Sequence, residues 1–175
     1  MKTEALCSTN TALTLLQCFN IKLAMEALNT EFIHLWKLSL NDISKLRLYR
    51  MINATFILPD YVTQVRNRRD RSILSKLRFG CLDLEVETGR WRNIERCNRI
   101  CKICQSGSVE DELHFLFHCI SLSTIRNKYL PILVNCNMDV CEKFVLLLTK
   151  CIPKLVSIYI RELYDYRKDL LYLRI

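Results

Sequence analysis

The stretch RICKICQSGSVEDELHFLFHC, residues 99–119, concentrates metal-binding side chains in one short segment. Cys101 and Cys104 form a C-x-x-C pair, the spacing at which one tight turn brings two thiolates to a single tetrahedral ion. Three further candidate ligands follow this pair: His114, His118 and Cys119. We expect Ser108 and Asp111 to form a capping box that opens a helix through these residues. The segment therefore predicts a metal site built from a turn followed by a helix.

The residues alone leave the fourth ligand open. His114 and His118 are one helical turn apart and face the same way, as helical zinc histidines do. His114 and Cys119 are about 140° apart around a regular helix, so both bind only if the helix loosens at its last turn. Geometry thus favours His118, whereas chemistry favours Cys119 because a third thiolate suits zinc well. Cys97, four residues before Cys101, is a further candidate.

The composition of the whole chain favours helices. Only three glycines and three prolines occur in 175 residues, too few for the frequent turns of a many-stranded sheet protein. Half of the residues are apolar and a quarter are charged, which is typical of globular proteins and excludes intrinsic disorder. We predict a mainly α fold, a helical protein with a small zinc-knuckle-like module (a short turn plus a helix) in its middle.

Three regions are expected along the chain. Residues 1–60 form an N-terminal helical extension with two amphipathic helices between residues 8 and 50. Residues 61–130 contain a basic helix and the metal-binding module, and residues 131–175 form the C-terminal helices. The basic helix is expected from Tyr61 to Phe79, ended by Gly80.

Several shorter segments carry their own predictions. The stretch LYRMINATFILPDYV, residues 48–62, mixes β-branched and aromatic residues and is predicted to be extended. The stretch LDLEVETGRWRN, residues 82–93, is predicted to be a short strand or loop with a turn at Gly89. Pro131 is expected to interrupt a helix, and Pro153 to lie in the first turn of the last one.

Basic residues cluster just before the metal segment. Residues 61–102 contain eleven Lys or Arg and five Asp or Glu, so they carry most of the net charge of +8. Trp91 lies between Arg90 and Arg92, and arginine beside an aromatic ring is a combination that binds phosphates and unstacked bases. We expect RNA or DNA as the partner, contacted by Arg68, Arg69, Arg71, Lys76, Arg78, Arg90, Trp91 and Arg92. A solvated basic face, or one that contacts an acidic protein, is the alternative.

The stretch SKLRFGCLDLEVETGRWRNIERCNRICKICQSGSVEDELHFLFHC, followed by IRNKYLP, resembles the C-terminal zinc-binding segment of reverse transcriptases from non-LTR retrotransposons. The pattern of that family is a C-x-x-C, an acidic pair (here Glu110 and Asp111), H-F-L and a cysteine. The residue type at the position of His118 varies within the family. The resemblance implies a Cys₃His site holding one structural Zn²⁺ ion. Its implied ligands are Cys101, Cys104, His114 and Cys119. It also implies a role in holding RNA or DNA, and makes residues 1–60 a remnant of an upstream polymerase region.

Catalytic motifs are absent from the sequence. There is no Asp-Asp dipeptide for polymerase metals, no Gly-rich phosphate loop and no G-x-S-x-G. A thiol-exchange enzyme is disfavoured because no βαβ pattern surrounds the C-x-x-C pair. We therefore expect a non-catalytic module, a detached fragment or domesticated copy, without a small-molecule substrate. The competing interpretation is a zinc-stapled helical protein-interaction domain without a nucleic-acid role.

The sequence also predicts the cellular compartment of the protein. No secretory signal and no apolar stretch of membrane-spanning length is visible, so we expect no membrane partner and an intracellular protein of the nucleus or cytoplasm. In a reducing compartment, a tight cysteine cluster indicates metal binding more often than disulfides.

Overall fold

The computed structural model describes residues 5–53 and 56–173 and is mainly helical, as the composition predicts. The only β-pairing within these ranges is an isolated bridge between Ile100 and Val109. The chain divides into two compact units, the first ending at Ser44 and the second beginning at Lys45. No helix among the described residues is long and apolar enough to cross a membrane.

The first unit contains one long helix, α1, Ala5–Asn41. The prediction of two amphipathic helices between residues 8 and 50 is therefore wrong. No glycine or proline occurs within α1 to break it. The polar Thr30 in its middle is accommodated because its hydroxyl donates to the Glu26 carbonyl oxygen, 2.8 Å away.

The second unit begins with three helices: α2 (Arg47–Ile52), α3 (Tyr61–Gln64) and α4 (Arg68–Arg78). Residues 48–52 are thus helical and not extended as predicted. The basic helix predicted as one element is two, because the Asn67 side chain accepts the backbone N–H groups of Arg69 and Asp70 and starts a new helix.

Helix α5, Glu85–Trp91, replaces the predicted strand or loop with a turn at Gly89. Gly89 lies inside this helix. A Cβ atom there would lie 2.7 Å from Cγ of Arg99, so the glycine permits a close approach and does not mark a turn. The Arg99 side chain is itself held by the carbonyl oxygens of Val86 and Ile94.

The C-terminal helices are α6 (Ser123–Tyr129), α7 (Pro131–Asn135), α8 (Val140–Thr149) and α9 (Pro153–Tyr172). Pro131 separates α6 from α7, and both prolines lie at the first turn of a helix, where their missing N–H costs nothing. Both proline predictions are confirmed.

One hydrophobic core unites the second unit. Helix α9 packs against both α4 and α6. Two cysteines of the metal segment belong to this core, together with the fully buried residues Leu77, Leu116, Phe144, Tyr159 and Leu163. The metal segment is therefore part of the folded unit and not an appended loop.

Candidate metal centre

The first two candidate ligands lie on a tight knuckle. The backbone N–H of Cys101 donates to the Ser108 carbonyl oxygen, 2.9 Å away, and closes the turn. The turn is completed by Gln105 and Gly107 with positive φ angles of 55° and 71°. The knuckle holds Cys101 and Cys104 on one side, as the C-x-x-C spacing predicts.

The other two ligands lie on a short helical turn that is wider than an α-helix. Residues His114–His118 form a π-helical turn, and the backbone N–H of Cys119 donates to the His114 carbonyl oxygen five residues earlier. This is the loosening that the sequence requires if His114 and Cys119 are to face the same point. The π turn thus resolves the geometric objection to Cys119.

The turn is capped by Asp111 alone. Its Oδ1 accepts the backbone N–H of His114 at 2.9 Å, and the helical residues begin at Glu112. The predicted capping box opened by Ser108 is wrong, because Ser108 lies on the knuckle and contributes its carbonyl to that turn instead.

The four ligand atoms form a compact cluster, all within 4.8 Å of one another. Sγ of Cys101 lies 4.0 Å from Sγ of Cys119, and Sγ of Cys104 lies 3.4 Å from Nε2 of His114. In tetrahedral coordination of one zinc ion, two thiolate sulfurs lie about 3.8 Å apart, and a sulfur lies about 3.5 Å from an imidazole nitrogen. The group can therefore hold a metal ion, and its donor set and spacing fit zinc.

The two alternative ligands lie outside the cluster. His118 and Cys97 are exposed, whereas Cys101, His114 and Cys119 are buried. Every cysteine whose side chain the structure describes is a free thiol. The cluster is thus a set of unbridged donors in a largely dry environment.

Hydrogen bonds within the cluster shift the pKa values of its thiols and of its imidazole. The hydrogen bond with Cys119, followed by burial, raises the pKa of the Cys101 thiol to about 12, and the same bond lowers the pKa of Cys119. Burial opposes a charge on His114, but hydrogen bonds to Cys101 and Cys104 outweigh it and raise the pKa of the imidazole. A bound cation would replace these protons, because zinc takes thiolates and neutral imidazole.

A buried ion pair supports the cluster from behind. Arg167 of α9 makes a two-pronged salt bridge to Glu110, with N···O distances of 2.7 and 2.6 Å. Oε1 of the same carboxylate lies 3.6 Å from Sγ of Cys101, and Oε2 accepts the backbone N–H of Glu85. In the sequence Glu110 is only one of an acidic pair, and no local pattern links it to an arginine 57 residues away.

A second buried arginine holds the π turn. Arg126 of α6 donates to the carbonyl oxygens of Leu116 and Cys119, both at 2.8 Å. Arg126 lies in the IRNKYLP stretch of the resemblance, but no sequence pattern predicts its burial, because a basic residue on a short helix is most often a surface residue.

The candidate nucleic-acid residues have different environments. Arg78 is buried, with only 4% of its surface exposed, and donates to the Leu148 carbonyl oxygen, so its assignment to a nucleic-acid surface is wrong. Arg71 is half-buried and donates to the Val65 carbonyl oxygen. The exposed candidates are Arg68, Arg69, Lys76, Arg90, Trp91 and Arg92.

Some of the exposed cations are paired with carboxylates. Three pairs involve candidates: Arg69–Asp165 at 2.7 Å, Arg90–Glu87 at 2.8 Å and Arg92–Glu85 at 2.5 Å. Only the Arg69–Asp165 pair is exposed on both sides, and such a pair contributes little to stability. Glu85 and Glu87 are buried, and Arg92 and Arg90 neutralise these carboxylates. All three pairs lower the local positive potential.

A basic groove of about 530 Å³ lies along α4 and α9. Its cationic residues are Arg68, Arg69, Lys76 and Lys168. Lys168 was missed by the sequence analysis because it lies in the last helix, far from the basic segment. Asp83 is the acidic residue among those lining the groove.

No protein-family model matches the chain, and neither the curated proteins nor the solved structures searched contain a similar one.

Proposed function

We propose that this protein is a non-catalytic nucleic-acid-binding module whose fold is stabilised by one structural zinc ion. The ion is held by Cys101, Cys104, His114 and Cys119. The observation that carries the metal-binding part of the proposal is the convergence of these four donor atoms within 4.8 Å of one another.

A structural role for zinc follows from the number of ligands. Four protein ligands close a tetrahedron and leave no position for an activated water. Thiolates and imidazole also favour zinc over magnesium or calcium, which prefer oxygen.

Nucleic acid is the proposed partner of the basic groove on α4 and α9. The support is the concentration of Arg68, Lys76 and Lys168 in a groove of the same folded unit as the metal cluster. The resemblance to the tail of a retrotransposon reverse transcriptase points to the same partner. The protein would then be a detached fragment or a domesticated copy of such a tail.

Metal content tests the zinc site. Cys104→Ser and His114→Ala should each abolish stoichiometric zinc in elemental analysis of the purified protein, because each removes one of four ligands. His118→Ala should retain one zinc ion per chain, since the exposed His118 lies outside the cluster. Loss of zinc from the His118 variant alone would overturn the ligand assignment.

Salt-dependent binding to a single-stranded RNA or DNA oligonucleotide tests the groove. The logarithm of the affinity should fall linearly with the logarithm of salt concentration, with a slope of about −0.7 per phosphate contacted. The double variant Arg68→Ala with Lys76→Ala should reduce this slope by about 1.4.

The matched control removes the same charge elsewhere. Lys22→Ala with Lys154→Ala substitutes two exposed lysines outside the groove and should leave the slope unchanged. Equal effects of the two double variants would show that only net charge matters and would exclude the groove as a specific surface.

One observation favours the second candidate function, a zinc-stapled domain that binds an acidic protein. Arg69, Arg90 and Arg92 are already paired with carboxylates. The surface charge therefore alternates in sign and does not form a continuous positive surface. This second function would be supported if the protein binds one zinc ion per chain but shows no affinity for the oligonucleotide at low salt.

A further inference from the structure

Arg78 is a buried cation without a carboxylate partner among the described residues. Its Nη1 donates to the Leu148 carbonyl oxygen at 3.1 Å, and the guanidinium lies 5.0 Å from the ring centroid of Tyr61. Only 4% of the residue is exposed. A neutral carbonyl and an aromatic face compensate a charge less well than an anion does.

The same fold contains a matched comparison. Arg167 is buried to the same degree, with 3% exposed, and there the charge is met by both oxygens of Glu110. Burial lowers the pKa of the Arg78 guanidinium, whereas for Arg167 the pair with Glu110 outweighs burial and raises the pKa. The two arginines are thus similarly exposed, but only Arg167 has an anionic partner among the described residues.

A cavity opens beside Arg78. It has a volume of about 460 Å³, within the range of small-molecule sites, and Arg78 lies in its wall. Every fully buried side-chain nitrogen or oxygen of the described residues has a hydrogen-bond partner, and only Nη1 of Arg78 has one within the protein. The remaining guanidinium nitrogens are therefore not fully buried, and Arg78 is one of the residues that line the cavity.

The rest of the wall is mainly apolar. Leu74, Leu147 and Val156 form its buried part. Ile57 and Leu58, which are 69% and 64% exposed, stand at its rim. The charged residues that line the cavity besides Arg78 are Asp60 and Lys150, which offset each other and leave the arginine in excess.

We propose that this cavity binds a small amphipathic anion, with a carboxylate or phosphate on the Arg78 guanidinium and an apolar body against Leu58, Leu147 and Val156. The arginine supplies the charge and planar donors that such anions need, and the apolar wall supplies the remaining affinity. This site is independent of the metal cluster and of the basic groove, neither of which shares a lining residue with it.

The test uses the full chain and three probes of the same body in isothermal titration calorimetry. Phenyl phosphate and phenylacetate represent the phosphate and carboxylate sources, and benzyl alcohol is the neutral control. At least one anion should bind saturably at one site per chain, at least tenfold more tightly than benzyl alcohol. The anion that binds more tightly identifies the preferred headgroup, phosphate or carboxylate. No saturable anion binding, or equal binding of the alcohol, would overturn the proposal.

Two variants locate the site. Arg78→Met keeps the length of the side chain and should abolish anion binding, whereas Arg68→Met, on the exposed basic groove, should leave it unchanged. If Arg78→Met does not fold, Leu58→Ser decides, because Leu58 is at the exposed rim and outside the core. This variant should weaken the phenyl anions several-fold.

A competition experiment separates the cavity from the nucleic-acid surface. Phenyl anion binding should persist in the presence of a saturating oligonucleotide. Displacement by the oligonucleotide, or unchanged phenyl anion affinity in Leu58→Ser, would assign the anion to another surface and overturn the inference.

Discussion

Glu110 is one of the residues that connect the candidate metal centre with the rest of the fold. Its two oxygens accept hydrogen bonds from Arg167, from the backbone of Glu85 and from the thiol of Cys101. Both the carboxylate and the guanidinium are almost completely buried. A buried ion pair of this kind is weak evidence for extra stability, but removal of one partner leaves an uncompensated charge in the core.

Glu110→Gln should therefore destabilise the protein strongly. We expect a loss of about 3–5 kcal/mol in the free energy of unfolding, because Arg167 remains buried without a counter-charge. Urea denaturation of the metal-loaded protein measures this loss. Glu110→Met combined with Arg167→Met removes both charges and should recover most of it.

The control for this prediction is Glu162→Gln. Glu162 pairs with Lys128 and accepts a hydrogen bond from Tyr129, and its side chain is 33% exposed, so water partly solvates its charge. Its loss should be about 1 kcal/mol or less. Equal effects at Glu110 and Glu162 would contradict the structural role assigned to the buried pair.

At the scale of elements, more of the local structure could be predicted from sequence for the metal segment than for its neighbours. The C-x-x-C spacing and the angle between His114 and Cys119 depend on local geometry, so the knuckle and the need for a loosened helix follow from sequence. Helix α5 could not be predicted in this way. Gly89 lies inside the helix, where its missing side chain leaves room for Arg99, and that contact exists only in the folded unit.

The capping residue of the π turn shows the same limit. Ser108 and Asp111 fit the pattern of a capping box, but the knuckle uses Ser108 to close its own turn and leaves Asp111 as the cap. Ser108 fits two local motifs, and in the structure its carbonyl closes the knuckle turn while the helical residues begin only at Glu112. The family resemblance implied the set of four ligands, and in the structure the π turn brings His114 and Cys119 into one cluster with Cys101 and Cys104.

Asp111→Ala should weaken this element. The loss of an N-cap costs about 1 kcal/mol, here in a turn that carries His114 and Cys119. We expect this loss in urea denaturation and a zinc affinity lower by about tenfold in a chelator competition. Asp111→Asn keeps a capping oxygen and should retain most of the stability and most of the zinc affinity. Ser108→Ala should be nearly neutral, and a larger effect at Ser108 than at Asp111 would restore the sequence-based capping box.

At the scale of the whole molecule, the metal cluster is joined to the last helix and to α6. Tyr159 of α9 donates its buried hydroxyl to the Leu116 carbonyl oxygen at 2.8 Å, and Arg126 of α6 donates to the same oxygen. The π turn is therefore held by two helices at once, and its conformation is tied to their packing. Loss of the cluster should propagate into the core of the second unit.

Removal of the metal tests this coupling. A structural zinc site contributes on the order of 10 kcal/mol, which is comparable to the total stability of about 5–15 kcal/mol of a typical domain. We expect a strong chelator to abolish the hydrogen-exchange protection of backbone amides in α6 and α9, and added zinc, but not magnesium, to restore it. Cys97→Ser should respond as the unmodified protein does, because Cys97 is exposed and outside the cluster. Full protection of α9 after chelation would mean that the ion only fastens the knuckle locally, and that the core of the second unit is held by its apolar contacts alone.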